Sequence, residues 1–158
     1  MSDESTFFVS IPGPPQAWQR PRFNGRSRGV YSPPALERWY DLAAAAIWPL
    51  WSLTAPLAVP LRVEVDAVTA RPKSLPACLK RLGWTAKRWR ETTRRIARPA
   101  VPDADNYGKA ALDALQGGGK RPVVIHDDAL VVEVTARKWY AAQGEEPCVE
   151  IEVWEVEL

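Results

Sequence analysis

Asp103-Ala104-Asp105-Asn106-Tyr107-Gly108-Lys109-Ala110-Ala111-Leu112-Asp113-Ala114-Leu115-Gln116, then Gly117-Gly118-Gly119, then Val123-Val124-Ile125-His126-Asp127-Asp128, is the stretch on which the fold turns. An Ala/Leu-rich run closed by glycines predicts a helix, and Asp105 is placed to cap it with its carboxylate. Side chains two apart in an extended segment point the same way, so Asp103 and Asp105 share a face ahead of the helix. On the helix, Lys109 falls one turn from Asp105 and Asp113 one turn further, a polar stripe beside Leu112 and Leu115. Asp113 reads as the helix-face partner of Lys109.

Two carboxylates about 4 Å apart repel by roughly 4 kcal/mol at an effective dielectric near 20. If Asp103, Asp105 and the second pair Asp127-Asp128 converge, they must therefore take up protons or bind a cation, and carboxylate oxygens suit magnesium or manganese. The same DxD spacing also serves a solvated loop and ordinary capping, and Lys109 alone also reads as an exposed helix residue. Spacing leaves both readings open.

Outward from this stretch the chain alternates strands and helices. Phe7, Val9 and Ile11 alternate with polar positions until Pro12-Gly13-Pro14-Pro15 forces a turn. Ser32 offers a cap, with Pro33 first in a helix whose Leu36, Trp39, Tyr40, Ala43 and Ile47 recur at helical spacing until Pro49. Leu61, Val63, Val65 and Ala67 alternate with Arg62, Glu64 and Asp66, a half-buried strand; its acids read as solvent-facing, with Asp66 a lesser candidate for the acidic cluster. Leu75 to Ala97 reads as one or two surface helices broken at Gly83, with Ser74 a cap and Pro99 a stop. Leu130 to Tyr140 and Val149 to Val153 are strands. Trp154, Val156 and Leu158 then take the other parity, which predicts a bulge or an interface near Val153.

These elements predict an α+β domain spanning residues 1–158. Its mixed β-sheet has four or five strands and carries two main helices, with residues 71–101 an outlying basic helical insert. The 158 residues match the size of one domain. No apolar run is long enough for a bilayer, and Met1 to Thr6 lack a signal peptide's apolar region, so a cytoplasmic protein with no membrane partner is expected. Cys78 and Cys148 form no CxxC pair and there is a single histidine, so disulfide and structural-zinc readings fade. His126, beside two acids, reads as a hydrogen-bonded loop residue rather than a general base. Gly117 to Lys120 lacks the spacing of a phosphate loop.

Charge is distributed unevenly. From Arg71 to Arg98, ten basic residues face the single acid Glu91, a net +9 in a chain whose total is +2, so the remainder carries −7. A second cluster, Arg20, Arg22, Arg26 and Arg28, lies in the Pro/Gly-rich loop near the N-terminus. Clustered Lys/Arg interleaved with Trp18, Trp84 and Trp89 is the footprint of a phosphate-backbone surface, a solvated basic helix being the plainer reading.

The run Asp103-x-Asp105-Asn106-x-x-Lys109-x-x-x-Asp113-Ala114-Leu115, followed by Asp127-Asp128, resembles the RusA family of Holliday-junction resolvases, common in bacterial and prophage genomes. Gln19-Arg20-Pro21-Arg22-Phe23, Tyr31-Ser32-Pro33, Arg71-Pro72-Lys73-Ser74 and Lys138-Trp139-Tyr140 are similar to that family in the same order. Tyr107-Gly108 stands where the family usually has two apolar residues. By resemblance, Asp103, Asp105 and Asp128 are the metal-binding acids, with Asp127 adjoining the third, and Lys109 is the essential lysine. The resemblance implies a magnesium-dependent endodeoxyribonuclease, manganese substituting, with no small-molecule cofactor, acting as a homodimer on branched DNA such as a four-way junction. Arg20, Arg22, Arg26, Arg71, Lys73, Lys87, Arg88, Arg90, Arg94 and Arg95 are the candidate DNA-binding residues. Two rivals stand beside this reading: a non-catalytic branched-DNA-binding protein with a decayed metal site, and an enzyme of a small phosphorylated substrate. The C-terminal strand is expected at or near the dimer interface.

Overall fold

The computed structural model describes residues 5–25, 29–51 and 55–157. Its centre is β4 (Leu61–Thr69), whose alternation buries Leu61, Val63, Val65 and Ala67 on one face of a five-stranded sheet. On one side β4 pairs antiparallel with β7 (Cys148–Glu155), which pairs antiparallel with the edge strand β1 (Phe7–Pro12). On the other side it runs parallel to β6 (Val131–Tyr140), which carries the two-residue strand β5 (Ile96–Ala97) at the far edge. The strand order is β1-β7-β4-β6-β5, a mixed sheet of an α+β fold. Edges are blunted by a terminal proline on β1 and by the brevity of β5. A separate hairpin joins β2 (Arg22–Asn24) to β3 (Gly29–Tyr31).

Both long helices, α1 (Pro34–Trp51) and α4 (Ala104–Gln116), cover one face of this sheet. The α1 stripe Leu36, Trp39, Tyr40, Ala43, Ile47 and Trp51 meets Phe7, Val9, Ile11, Val149, Ile151 and Val153, while α4 adds Ala110, Ala111, Ala114 and Leu115. Small residues let α4 lie close: a Cβ on Gly108 would stand 3.4 Å from Val134 Cγ1 and 3.6 Å from the Ala136 Cβ. The helix that starts at Pro34 does not stop at Pro49; it runs on to Trp51, which is buried against Phe7 edge to face at 5.3 Å. Burial of that indole outweighs the missing amide in the last turn.

The basic segment is helical and broken at Gly83, as expected. It holds two short helices, α2 (Ala77–Arg81) and α3 (Ala86–Glu91), parted at Gly83 with φ +83°, and then turns into β5. Pro76, not Ser74, occupies the cap position of α2. The segment has its own small apolar cluster, in which Leu79, Trp89 and Ile96 pack on Tyr140 of β6, and Trp89 meets Tyr140 edge to face at 5.6 Å. The expected bulge at Val153 is absent, since β7 keeps unbroken register with both neighbours and ends at Glu155. Trp154 lies on the sheet face opposite the core, under the Arg62 guanidinium at 4.3 Å; Leu158 lies outside the described residues. The irregularity falls instead between Leu61 and Arg62 opposite β6.

Candidate active site

Asp103 sits at the cap position of α4 in extended conformation, exposed and without a side-chain cap bond, while Asp105 belongs to the first turn. The capping role expected for Asp105 is therefore mistaken by one element of geometry: the helix begins two residues earlier, so the two acids are not related by strand parity. Asp105 instead receives Lys109 Nζ at Oδ2, 3.0 Å away, one turn along. That hydrogen bond holds the Asp105 pKa below its ordinary value. The Lys109 ammonium lies 5.6 Å from the centroid of the Trp18 ring.

Asp113, another turn along the same face, is not a partner of Lys109. Its Oδ2 accepts from the Tyr40 hydroxyl at 2.8 Å. Burial pushes the Asp113 pKa up; the Tyr40 bond opposes this, and the nearby charge of Asp128 adds to it. Tyr40 is pushed up as well, by burial first and then by its bond to Asp113. Asp128 thus reaches the α4 stripe at its Asp113 end, eight residues or about 12 Å of helix from Asp105.

The strand-like run before Asp128 is docked on α4 through backbone. Val124 and Ile125 N–H both donate to the Leu115 carbonyl, at 2.8 and 3.2 Å, and His126 N–H donates to Leu57. Gly117 makes the reversal, with φ +56° and the Pro122 oxygen only 2.0 Å from where a Cβ would stand. Asp127 accepts from Ala129 N–H at 2.8 Å and so caps the 3-10 turn Asp128–Leu130. The His126 side chain is exposed.

The approach to Asp103 is fixed by a residue that the sequence reading quotes within a motif but gives no role. Lys138 on β6 donates from Nζ to the carbonyls of Ala100 at 2.7 Å and Pro102 at 2.9 Å. Arg98 N–H donates to the Lys138 carbonyl and Arg98 Nη2 to Val101 at 2.7 Å. The loop leading into α4 is thereby held from both sides. A signal was available: Lys138 shares its strand parity with Ala136 and Tyr140, a cation among core-facing positions. From the other side Trp18 N–H donates to the Asn106 carbonyl at 2.8 Å, which seats the first arginine loop, with exposed Arg20, against the start of α4.

The basic residues divide by what they touch. Arg22, Lys73, Lys87, Arg88, Arg90 and Arg94 are exposed; Arg88 stacks on Trp84 at 4.0 Å and Lys87 faces Glu91 at 3.9 Å. Arg71 is spent inside the fold, donating to the carbonyls of Trp89 at 2.6 Å, Thr92 at 2.8 Å and Ala141 at 3.3 Å. Arg95 is held by Glu145 and by both oxygens of Glu150, at 2.7 and 2.8 Å. Arg26 and Arg28 lie outside the described residues. Asp66 is remote from the acidic stripe, because its parity sends it to the opposite sheet face, bonded to Trp139 Nε1 at 2.7 Å and to Arg137.

Asp103, Asp105, Asp127 and Asp128 are exposed carboxylates, the donor type that suits a hard cation, and Asp128 lies close enough to Asp113 to feel its charge. Among the described residues no three Asp, Glu, His or Cys side chains form a ready-made metal group. Also among them, no helix is long and apolar enough to cross a membrane. Compared with known proteins, the chain matches the family model described as Endodeoxyribonuclease RusA over residues 12–154. No curated protein matches it.

Proposed function

The chain belongs to the RusA endodeoxyribonuclease family, and from that premise we propose that it is a magnesium-dependent, structure-selective nuclease that resolves four-way DNA junctions by paired symmetric nicks. The observation that carries this reading is the exposed stripe of α4, Asp105 and Lys109, bordered by Asp103 and the Trp18–Arg20 loop, with Asp128 at its Asp113 end. Asp103, Asp105 and Asp128 would hold the cation, with Asp127 assisting, once the Asp127–Asp128 turn closes from the Asp113 end of α4 toward its start, and manganese would serve in its place. A bound divalent ion supplies Lewis-acid activation of water and charge neutralisation at the phosphate.

The chain's own residues supply the rest. Lys109 is tied to Asp105 by a surface ion pair, which is cheap to exchange, so its ammonium is free to turn to the phosphate and offset charge in the transition state. Lys138 holds the Ala100–Pro102 carbonyls and so fixes where Asp103 enters the site. Tyr40 orients the Asp113 carboxyl. Arg20, Arg22, Lys73, Lys87, Arg88, Arg90 and Arg94 offer unburied cations to the phosphate backbone, which positions DNA without reading bases. Labelled four-way junction, duplex and single strand, each with magnesium and with chelator, test the proposal. Paired cuts in the junction are expected with magnesium alone; a junction that is bound but left intact would overturn it.

A further inference from the structure

Between the α2–α3 segment and the sheet lies a cleft of about 690 Å³, whose sheet side is formed by Asp66 and Trp139, residues of the face away from α4. Its walls include Leu79, Leu82, Trp84 and Trp139, with Asp66 on the sheet side and Arg94 also lining it. We propose that this cleft receives an unpaired nucleobase of the branched DNA, stacked on Trp139; the inference rests on the nuclease reading above.

The chemistry of the walls is that of a flat, amphipathic ligand. Trp139 is half-buried and its ring is pinned, because Nε1 donates to Asp66 Oδ1 at 2.7 Å. An indole held in this way offers a stacking surface whose side-chain entropy is already spent. Asp66 accepts from Trp139 and, at 3.3 Å, from Arg137, and a carboxylate has about four acceptor sites, so capacity is left for an exocyclic amine. Leu82 is 65% exposed on this wall. Arg94 is exposed and makes no hydrogen bond or ion pair among the described residues, and Arg88 stacked on Trp84 places a second cation nearby. An apolar protein side chain would use the leucines but leave Arg94 without a counterpart and the open acceptor site of Asp66 unused. A nucleotide uses all of them.

Position also favours DNA near the cut. Pro99 lines the cleft, and Asp103 follows four residues later, a reach of at most about 14 Å for extended chain. A base still paired in a duplex cannot enter such a cleft, whereas a base unpaired at a crossover can. The cleft therefore favours branched over linear DNA, which exposed arginines alone do not do.

The test uses the full chain in chelator, with a four-way junction and a linear duplex of matched arms as probes. Trp139→Leu should weaken junction binding on the order of tenfold, the scale of one lost base stack, with duplex affinity unchanged in protein still folded at the assay temperature, and Trp139→Phe, which loses the same bond to Asp66 but keeps a ring, should restore most of the loss. In the wild-type complex, 2-aminopurine at the crossover should change its emission on binding, and the same probe within an arm should not. Unchanged junction affinity in Trp139→Leu, an equal loss on both DNAs, or a silent crossover probe would overturn the proposal. If the wild-type chain shows no preference for the junction, the nuclease reading itself falls, a result distinct from a variant that matches a junction-selective wild type.

Discussion

Asp105 and Lys109 are the residues at which spacing and structure agree most directly, because an i,i+4 pair on a helix is a local relation that needs no knowledge of the rest of the chain. The same locality explains the failures nearby. Which residue stands at the cap depends on where the preceding loop arrives, and Lys138 sets that from a distant strand; Asp113 finds Tyr40 rather than Lys109 because α1 packs beside α4, a tertiary fact. The prediction at this scale concerns charge. Asp105→Asn should lower turnover by about 10²–10³-fold, the usual result of removing a group that stabilises transition-state charge, while junction binding holds or tightens because one negative charge facing phosphate is gone. Lys109→Ala should slow cleavage with little loss of binding. Cleavage rates and gel-shift titrations read both, and near-normal turnover in Asp105→Asn would remove it from the set of metal ligands.

Elements respond to substitutions in ways their packing already dictates. In α4, Gly108 is helical and has room for a methyl group at ordinary contact distance from Val134 and Ala136. Gly108→Ala should therefore raise unfolding stability by about 0.5–1 kcal/mol, the helix penalty of glycine. Gly117→Ala should lower it by about 1–3 kcal/mol, because a Cβ meets the Pro122 carbonyl at 2.0 Å and the backbone is left-handed. Denaturant unfolding reads both signs. The basic segment calls for a split that composition does not show. Arg88, Arg90 and Arg94 reach solvent, so replacing all three should weaken DNA binding and reduce the slope of log K against log salt by up to about 3. Arg95 belongs to the fold. Its bond depresses the Glu145 pKa, so the stabilisation it carries is present above the ordinary value of 4.5 and is lost as pH falls through the lowered value. Glu145→Gln should accordingly cost about 1–2 kcal/mol at neutral pH, and the gap from wild type should narrow in thermal melts as pH falls below 4.5. Strands and long helices were legible because alternation and helical periodicity record burial; the turn of residues 92–97 into β5 was not, since a two-residue edge strand exists only through Tyr140 and Trp139 of its partner.

For the whole molecule, sheet order is what periodicity leaves open: nothing local says that β4 pairs parallel with β6 or that β7 lies between β1 and β4. That order changes the assembly argument. With both edges of β7 hydrogen-bonded and its register unbroken, the C-terminal strand has no free edge to extend into a partner, and Trp154 still lies within it, on the face away from the core under Arg62. The stoichiometric argument survives, because it rests on the substrate. Resolving a four-way junction takes two nicks in strands related by near two-fold symmetry, while the described residues of each chain carry a single α4 stripe with its acids, so on the proposed function each chain makes one cut. Closed two-fold dimers are the commonest way to present two identical sites together. Light scattering at micromolar concentration should therefore give about twice the 17.6 kDa chain mass. Mixing wild type with excess Asp105→Asn should yield heterodimers that nick one strand and leave the junction unresolved. A monomer that makes both cuts in one binding event would refute the argument, since it would require a second acidic site that the α4 stripe does not supply.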